Sequence, residues 1–134
     1  MPSHVSTGAA HHVVLTVTDL SRSRAFYTEL FGFQEAADLG SVVLSSNGSV
    51  LLGLRCPPDA DPAFARDRFS ENRVGLDHVS FSVGSKADLE SAVRLFDERG
   101  VPHGEIKDLS ATFGIYVLAF RDPDNIQVEL TAPA

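Results

Sequence analysis

Apolar and polar residues alternate in a short run near the start of this chain, and helical spacing follows at once. Residues 11–18 place three apolar side chains on one face, which predicts a half-buried strand. The next apolar residues recur at helical intervals as far as Gly32, a residue that readily adopts the left-handed conformation of a helix end. The pattern predicts a helix that is capped by Asp19 or Ser21 and ends at Gly32.

Three further strands are predicted after this helix. Asn47-Gly48 is a dipeptide that accepts the positive φ angles of a tight hairpin, and the runs on both sides of it have strand character. The first part of the chain therefore has the order β-α-β-β-β, with strands at 11–18, 33–37, 41–46 and 49–54.

The same order returns in the second half of the chain. A strand at 77–84 leads into a Ser85-x-x-Asp88 capping signal and a helix that ends at Gly100. Residues 55–76, which contain three prolines, form the predicted connection, with a helical turn near 64–69. The remaining strands are predicted at 104–109, 113–121 and 126–131, with the last tight turn at Asp122-Pro123-Asp124-Asn125.

The repeat predicts the fold class. A β-α-β-β-β unit has one sheet face covered by its helix and the other bare, and two such units can close their bare faces around a common cavity. We therefore expect a single α+β domain over residues 1–134 in which two paired units form a cupped mixed sheet around a metal cavity. Unit one spans about 11–54, the linker 55–76, and unit two about 77–131.

Charge and composition exclude several classes of partner. The 134 residues carry a formal net charge of -7, which opposes binding to nucleic acid or to an anionic membrane. Cys56 is the only cysteine, so an internal disulfide is impossible and a reducing compartment is expected. Because no targeting segment or apolar run of membrane-spanning length is visible, we expect a cytoplasmic protein.

Three polar residues on the predicted strands form a candidate metal site. His12 and His78 open the equivalent first strands of the two units, and Glu129 alternates with apolar residues on the last strand. Two imidazoles and one carboxylate match the facial arrangement that binds Fe(II), Mn(II) or a similar divalent ion and leaves positions open for substrate. A register slip of one residue would exchange His12 for His11.

Four other residues are candidates for the substrate pocket. Thr16, Ser80 and Gln127 share the predicted ligand face and can bond substrate oxygens, although polar residues beside water have the same pattern. His103 follows the second helix, where it is either a general base at the cavity rim or an exposed turn residue.

The chain resembles the vicinal oxygen chelate superfamily, which includes glyoxalases, extradiol dioxygenases, fosfomycin-resistance enzymes, methylmalonyl-CoA epimerases and bleomycin-binding proteins. The resemblance implies the paired fold, a homodimer, and metal ligands at His12, His78 and Glu129. It rests on three segments: His12-Val13-Val14-Leu15-Thr16-Val17-Thr18-Asp19-Leu20 with the helix to Gly32-Phe33, Asp77-His78-Val79-Ser80-Phe81-Ser82-Val83, and Phe120-Arg121-Asp122-Pro123-Asp124-Asn125-Ile126-Gln127-Val128-Glu129-Leu130.

Departures from the family pattern leave the reaction open. Residues 49–54 offer no fourth ligand of the kind glyoxalase-type and epimerase-type members carry. Ala119 stands where dioxygenases and fosfomycin-resistance enzymes tend to have a tyrosine, and Val14 stands where fosfomycin-resistance enzymes have a threonine. The expected activity is that of a metal-dependent oxygenase or a lyase or isomerase acting on a small molecule with vicinal oxygens. Fe(II) or Mn(II) is favoured, and Zn(II) or Ni(II) is possible. The alternative is a metal-free protein of the bleomycin-resistance type, which binds a small molecule without chemistry.

Overall fold

The protein is described here by a computed structural model that covers residues 3–58, 61–64 and 66–134. Residues 1–2, 59–60 and 65 lie outside the described residues, and three of these five fall within the predicted linker. The chain divides into two compact units at residues 65 and 66. The first unit has the order β-α-β-β-β, and the second repeats it with a short additional helix before its third strand, so the α+β class with two repeated units is confirmed.

The first unit is a mixed four-stranded sheet with a helix. Strand β1 is parallel to β4, β4 is antiparallel to β3, and β3 is antiparallel to β2, which gives the order β1-β4-β3-β2. Its elements are β1 (His12–Thr16), α1 (Leu20–Phe31), β2 (Gln34–Asp38), β3 (Val42–Ser46) and β4 (Leu51–Arg55), followed by a short 3₁₀ helix at Pro62–Phe64.

Local signals in the sequence fix the ends of these elements. Asp19 caps α1, because its carboxylate accepts a hydrogen bond from the Arg22 amide at 3.0 Å, and Gly32 ends the helix at φ 67°. The Asn47 side chain accepts hydrogen bonds from the amides of Ser49 and Val50 and closes the predicted hairpin. Helix α1 contacts β4, and the core of this unit comprises Leu15, Val17, Tyr27, Phe33, Val43, Leu52 and Leu54.

The second unit repeats this arrangement with strand order β5-β8-β7-β6, in which β5 and β8 are parallel. Helix α2 begins with the predicted capping box of Ser85 and Asp88, ends at Gly100, and packs on β7 and β8. The elements are β5 (Val79–Ser82), α2 (Lys86–Arg99), β6 (Lys107–Leu109), α3 (Ser110–Phe113), β7 (Ile115–Arg121) and β8 (Gln127–Pro133).

Two local predictions were wrong. The strand predicted from residue 113 begins at Ile115, because a short helix, α3, is inserted before it; the Asp108 carboxylate accepts a hydrogen bond from the Ser110 amide at 2.9 Å, and Gly114 ends the turn at φ 66°. The helical turn of the linker lies at Pro62–Phe64 rather than near 64–69, since Asp61 accepts a hydrogen bond from the Ala63 amide and starts it earlier. Residue 65 lies outside the described residues.

No helix in the described ranges is long and apolar enough to cross a membrane.

Candidate metal site

In the first unit, His12 lies on the sheet face that α1 leaves uncovered. Leu15 and Val17 are buried under the helix, whereas His12, Val14 and Thr16 are exposed, as the alternation predicts. The residue paired with His12 on β4 is Leu51, which offers no ligand atom. The neighbouring His11 contacts His12 through their Nδ1 atoms, 2.9 Å apart.

In the second unit, the structure brings His78 and Glu129 together. His78 lies just before β5, and Glu129 pairs with Ser80 of that strand on the face that α2 leaves uncovered. His78 Nε2 is 3.2 Å from Glu129 Oε2, and the two side chains are 38% and 18% exposed. Two of the three predicted ligands therefore share one site.

Asp77 and Gln127 hold the other side of the His78 ring. Asp77 Oδ1 is 2.7 Å from His78 Nδ1, and it also accepts a hydrogen bond from Gln127 Nε2 at 2.9 Å. Gln127 donates a second bond, to the Asp77 carbonyl oxygen at 3.2 Å. When the ring proton is on Nδ1, the Nε2 lone pair of His78 points toward Glu129, and a carboxylate orients a metal-binding histidine in this way. Gln127, predicted as a pocket residue, helps to hold the His78 ring through its two hydrogen bonds to Asp77.

An ion pair anchors the segment that precedes His78. Glu71 accepts hydrogen bonds from both terminal nitrogens of Arg121, at 2.9 and 2.8 Å, and Arg121 also reaches the Gln127 side-chain oxygen at 3.4 Å. These hydrogen bonds from Arg121 lower the pKa of the Glu71 carboxyl to about 2. The end of the predicted linker is thereby fixed to the turn between β7 and β8, where Asn125 also donates to the Phe69 carbonyl at 3.1 Å.

The remaining predicted pocket residues have different surroundings. Ser80 Oγ is 2.5 Å from Thr131 Oγ1, and both hydroxyls lie beside Glu129 on the uncovered face. His103 pairs with Phe120, and its ring centroid is 6.0 Å from that of Phe96, a buried residue of α2. His103 therefore lies on the helix-covered side of this sheet, opposite to Glu129.

Both ring nitrogens of His103 are engaged. Nε2 is 2.6 Å from Asp97 Oδ1, and Nδ1 is 2.7 Å from the Gly104 carbonyl oxygen. These partners stabilise the protonated ring, Asp97 most strongly, and raise the pKa of His103 above its usual 6.5. The side chain is only 17% exposed, so the group links α2 to the following loop rather than facing open solvent.

This link makes stability depend on pH. Because the pKa of His103 is raised on folding, its contribution to the free energy of unfolding is present below pH 6.5 and is lost as pH rises through the raised value. We expect Asp97→Asn to lower the thermal midpoint most near pH 6 and least near pH 9. Thermal unfolding measured from pH 6 to pH 9 checks this expectation, with Glu98→Gln as the control. A difference in thermal midpoint between Asp97→Asn and the wild type that is the same at all pH values would contradict it.

The His78 and Glu129 pair fits a divalent ion. Two ligand atoms about 2.1 Å from one ion and at right angles to each other lie about 3 Å apart, close to the observed 3.2 Å. Two electron-pair acceptors that face each other at this distance need a proton or a cation between them. Within the described ranges, no group of three or more His, Cys, Asp and Glu side chains is close enough to hold a metal ion; His12 belongs to the first unit.

Sequence reasoning missed Asp77, Arg121 and Glu71. Alternation would place Asp77 on the face opposite to His78, but both residues precede the first paired residue of β5 and are not bound by strand geometry. The only signal for Asp77 was its position next to a candidate ligand. Nothing in the sequence indicated that Glu71 meets Arg121, 50 residues away.

Comparison with known proteins identifies the family. Residues 9–130 match the Glyoxalase/Bleomycin resistance protein/Dioxygenase superfamily. The chain belongs to this superfamily. Members often dimerise, bind small molecules and carry divalent metals, and they include lyases, dioxygenases and fosfomycin-modifying enzymes. The resemblance seen in the sequence is thereby confirmed.

Relatives of this superfamily member align over nearly its whole length. It is 32% identical to the uncharacterized protein YwkD of Bacillus subtilis, with 90% of this chain and 93% of YwkD covered. A glyoxylase/bleomycin resistance protein/dioxygenase domain from Frankia sp. EAN1pec shares 34% identity at a TM-score of 0.79, with 96% of this chain and 100% of the Frankia chain covered. Lactoylglutathione lyase from Agrobacterium tumefaciens shares 26% identity at a TM-score of 0.72, with 94% of each chain covered.

Proposed function

We propose that this protein is a divalent-metal-dependent enzyme that acts on a small molecule with two adjacent oxygens and holds its ion through His12, His78 and Glu129. The observation that carries the proposal is the 3.2 Å approach of His78 Nε2 to Glu129 Oε2, with Asp77 behind the ring. A ring fixed from behind by a carboxylate is typical of a metal-binding histidine. Membership of a superfamily whose members carry divalent metals supports it.

The residues divide into ligands and supports. His12, His78 and Glu129 would hold Fe(II) or Mn(II), with Zn(II) or Ni(II) as alternatives, and leave positions open for substrate oxygens. When bound, the ion supplies Lewis-acid polarisation of the substrate. Asp77 orients His78, Gln127 orients Asp77, and the paired hydroxyls of Ser80 and Thr131 lie beside Glu129, where they can bond a substrate oxygen.

The chain's own residues favour the three-ligand branch of the superfamily. Leu51 pairs with His12 on β4, so this position adds no carboxylate or amide to the ligand set. Isomerisation that depends on a fourth, metal-bound carboxylate as base is therefore disfavoured. We propose an oxygenase, or a lyase or isomerase that needs three ligands only, acting in the cytoplasm as a homodimer.

Metal analysis of the protein tests this proposal. Protein purified without chelators is expected to contain one divalent ion per chain, and its thermal midpoint is expected to fall when the ion is removed and to recover when Mn(II) is added back. A ligand at about 100 times its Kd adds about 2.7 kcal/mol to the free energy of unfolding. Protein that takes up no Fe(II), Mn(II), Zn(II) or Ni(II) and shows no thermal response would favour the metal-free binding protein instead.

Asp77→Asn is expected to weaken metal binding without removing a ligand. The amide cannot stabilise the positive character of a metal-bound imidazole, and loss of such an outer partner costs about 10–100-fold in affinity. Competition with a fluorescent chelator measures the affinity. Asp67→Asn is the control, since Asp67 bonds to Arg73 and contacts no candidate ligand; equal affinities in the two variants would show that Asp77 does not support the site.

A further inference from the structure

Arg121 connects the support of His78 to an ion pair near the turn between β7 and β8. It pairs with Gln127 across these strands, so the two side chains lie side by side on the uncovered face of the second unit. The guanidinium is held by both oxygens of Glu71 and by the Asn125 carbonyl oxygen at 3.2 Å. Only 27% of the Arg121 side chain and 29% of the Glu71 side chain are exposed, so this pair is shielded from much of the solvent that weakens a surface ion pair.

This fixed guanidinium determines the orientation of the Gln127 amide. Arginine has no hydrogen-bond acceptor, so an amide nitrogen turned toward it would leave two donors facing each other. The Gln127 oxygen therefore faces Arg121, at 3.4 Å from its Nη2 atom, and the amide nitrogen faces Asp77. That nitrogen donates to the Asp77 carboxylate at 2.9 Å and to the Asp77 carbonyl oxygen at 3.2 Å, which uses both of its donors.

Asp77 needs this support because strand pairing does not hold it. Its side chain is 66% exposed, and it precedes Val79, the first paired residue of β5. The two hydrogen bonds from Gln127 fix its carboxylate and its backbone at once. Without them, the rotamer freedom and the hydration of an exposed carboxylate favour its turning away from the His78 ring.

His78 lies between two carboxylates that compete for one ring proton. A neutral imidazole carries a proton on one nitrogen only, and the hydrogen bonds of the ring decide which one. Asp77 Oδ1 is 2.7 Å from Nδ1, and Glu129 Oε2 is 3.2 Å from Nε2. A proton on Nε2 would point toward Glu129 and occupy the atom that faces the proposed ion. Asp77 must therefore stay close to Nδ1 for Nε2 to remain free.

We propose that Arg121 is a positioning residue for the metal site. By fixing the Gln127 amide it keeps Asp77 on the His78 ring, so the ring proton stays on Nδ1 and Nε2 keeps its lone pair for the ion. The position of the proton needs no metal, whereas the use of the free Nε2 atom rests on the proposed function.

NMR of the imidazole nitrogens in metal-free protein tests the position of the proton. At about pH 9, where an ordinary imidazole is neutral, we expect the wild type to carry the proton on Nδ1 of His78. Arg121→Met and Gln127→Leu are each expected to shift it toward Nε2, so that both tautomers are observed. An unchanged Nδ1 proton in Arg121→Met, or a proton on Nε2 in the wild type, overturns the proposal.

Two further variants separate positioning from a general loss of structure. Phe120→Leu perturbs the buried, helix-covered side of the same strand, next to Arg121. Arg94→Met makes the same substitution as Arg121→Met at an exposed residue of α2. Both are expected to keep the proton of His78 on Nδ1. If Phe120→Leu moves the proton as far as Arg121→Met does, the effect is one of stability alone and the proposal fails.

Chelator competition for Mn(II) tests the route from Arg121 to the ion. Arg121→Met and Gln127→Leu are each expected to weaken Mn(II) binding by at least about 10-fold, the lower end of the effect of outer partners. Loss of a positive charge near a cation would by itself strengthen binding, so electrostatics alone predict the opposite sign. Arg94→Met is expected to bind Mn(II) as the wild type does.

The double variant of Arg121→Met and Gln127→Leu decides whether the two residues act in series. Because both act on the same carboxylate, the double variant is expected to lose no more affinity than either single variant. Losses that multiply in the double variant would show that Arg121 acts only by anchoring the segment of Glu71, which overturns the proposal.

The NMR and metal-binding measurements together distinguish this proposal from the proposed function. If no divalent ion binds but the ring proton still moves in Arg121→Met, the metal assignment fails while the positioning of His78 stands. If the ion binds and Arg121→Met neither moves the proton nor weakens binding, Arg121 has no part in the site.

Discussion

Glu129→Gln is expected to reduce divalent-metal affinity by more than the roughly 10–100-fold that loss of an outer-shell partner costs. The variant keeps the shape of the side chain beside His78 but removes the only negative charge among the proposed ligands, and an amide oxygen is a much weaker ligand for a divalent ion than a carboxylate. Metal content after dialysis and the Mn(II)-induced thermal shift measure the effect. Turnover, once a substrate is known, is expected to fall in parallel.

Glu105→Gln is the matched control, because it makes the same change of charge in the same unit at an exposed residue. We expect it to retain wild-type metal affinity. If both variants lose affinity equally, net charge explains the result and Glu129 is not a ligand. If neither does, the metal assignment is wrong.

Mixing two ligand variants distinguishes the chains that supply the site. His12→Ala and Glu129→Ala each remove one proposed ligand. In a dimer whose sites draw His12 from one copy and His78 with Glu129 from the other, a mixed dimer contains one intact site and one site that lacks both ligands. Recovery of metal binding on mixing therefore indicates ligands from two copies, and no recovery indicates ligands from one.

Phe120→Ala is expected to lower the free energy of unfolding by about 3–5 kcal/mol. The side chain is 1% exposed, and its ring centroid is 4.8 Å from that of Phe96, which joins β7 to α2. Truncation removes a ring from the middle of this contact, and β7, which is hydrogen-bonded to β8 and bridged to His103 at Phe120, cannot move to fill the space. Such a loss is a large share of the roughly 5–15 kcal/mol that keeps a domain folded.

Urea unfolding of Phe120→Ala and Phe113→Ala compares the same chemical change in two environments. Phe113, on α3, is 70% exposed, and its replacement is expected to change the free energy of unfolding by no more than about 0.5 kcal/mol. Similar losses in the two variants would contradict the position assigned to Phe120 in the core.

The sequence predicted those parts of the fold that depend on neighbouring residues. Asp19 and Gly32 bound α1 because capping and the left-handed helix end are decided within a few residues. The last tight turn lies at the predicted residues, and Asn125 adopts φ 66° in it, a conformation that asparagine tolerates. Alternation likewise placed Thr16 and Glu129 on the uncovered faces, since the period of a strand is set by its backbone.

The repeated order of predicted elements also identified the two β-α-β-β-β units. The insertion of α3 in the second unit was not predicted. It is accompanied by hydrogen bonds from the Ser110 amide and hydroxyl to the Asp108 carboxylate, in a stretch with strand-like composition. Such a local competition between side chain and backbone leaves no periodic signal.

What the sequence by itself determined is therefore the pair of units and the sheet faces that carry His12 and Glu129. Only the tertiary structure decided that Asp77 and Gln127 hold His78, that His103 lies on the helix side of its sheet, and that the buried Nε atom of Arg55 has no hydrogen-bond partner among the described residues. The physical reason is separation along the chain. Periodicity and capping act over a few residues, but the partners of a polar side chain are set by strands and loops that are brought together from distant positions, such as Asp77 and Gln127, 50 residues apart.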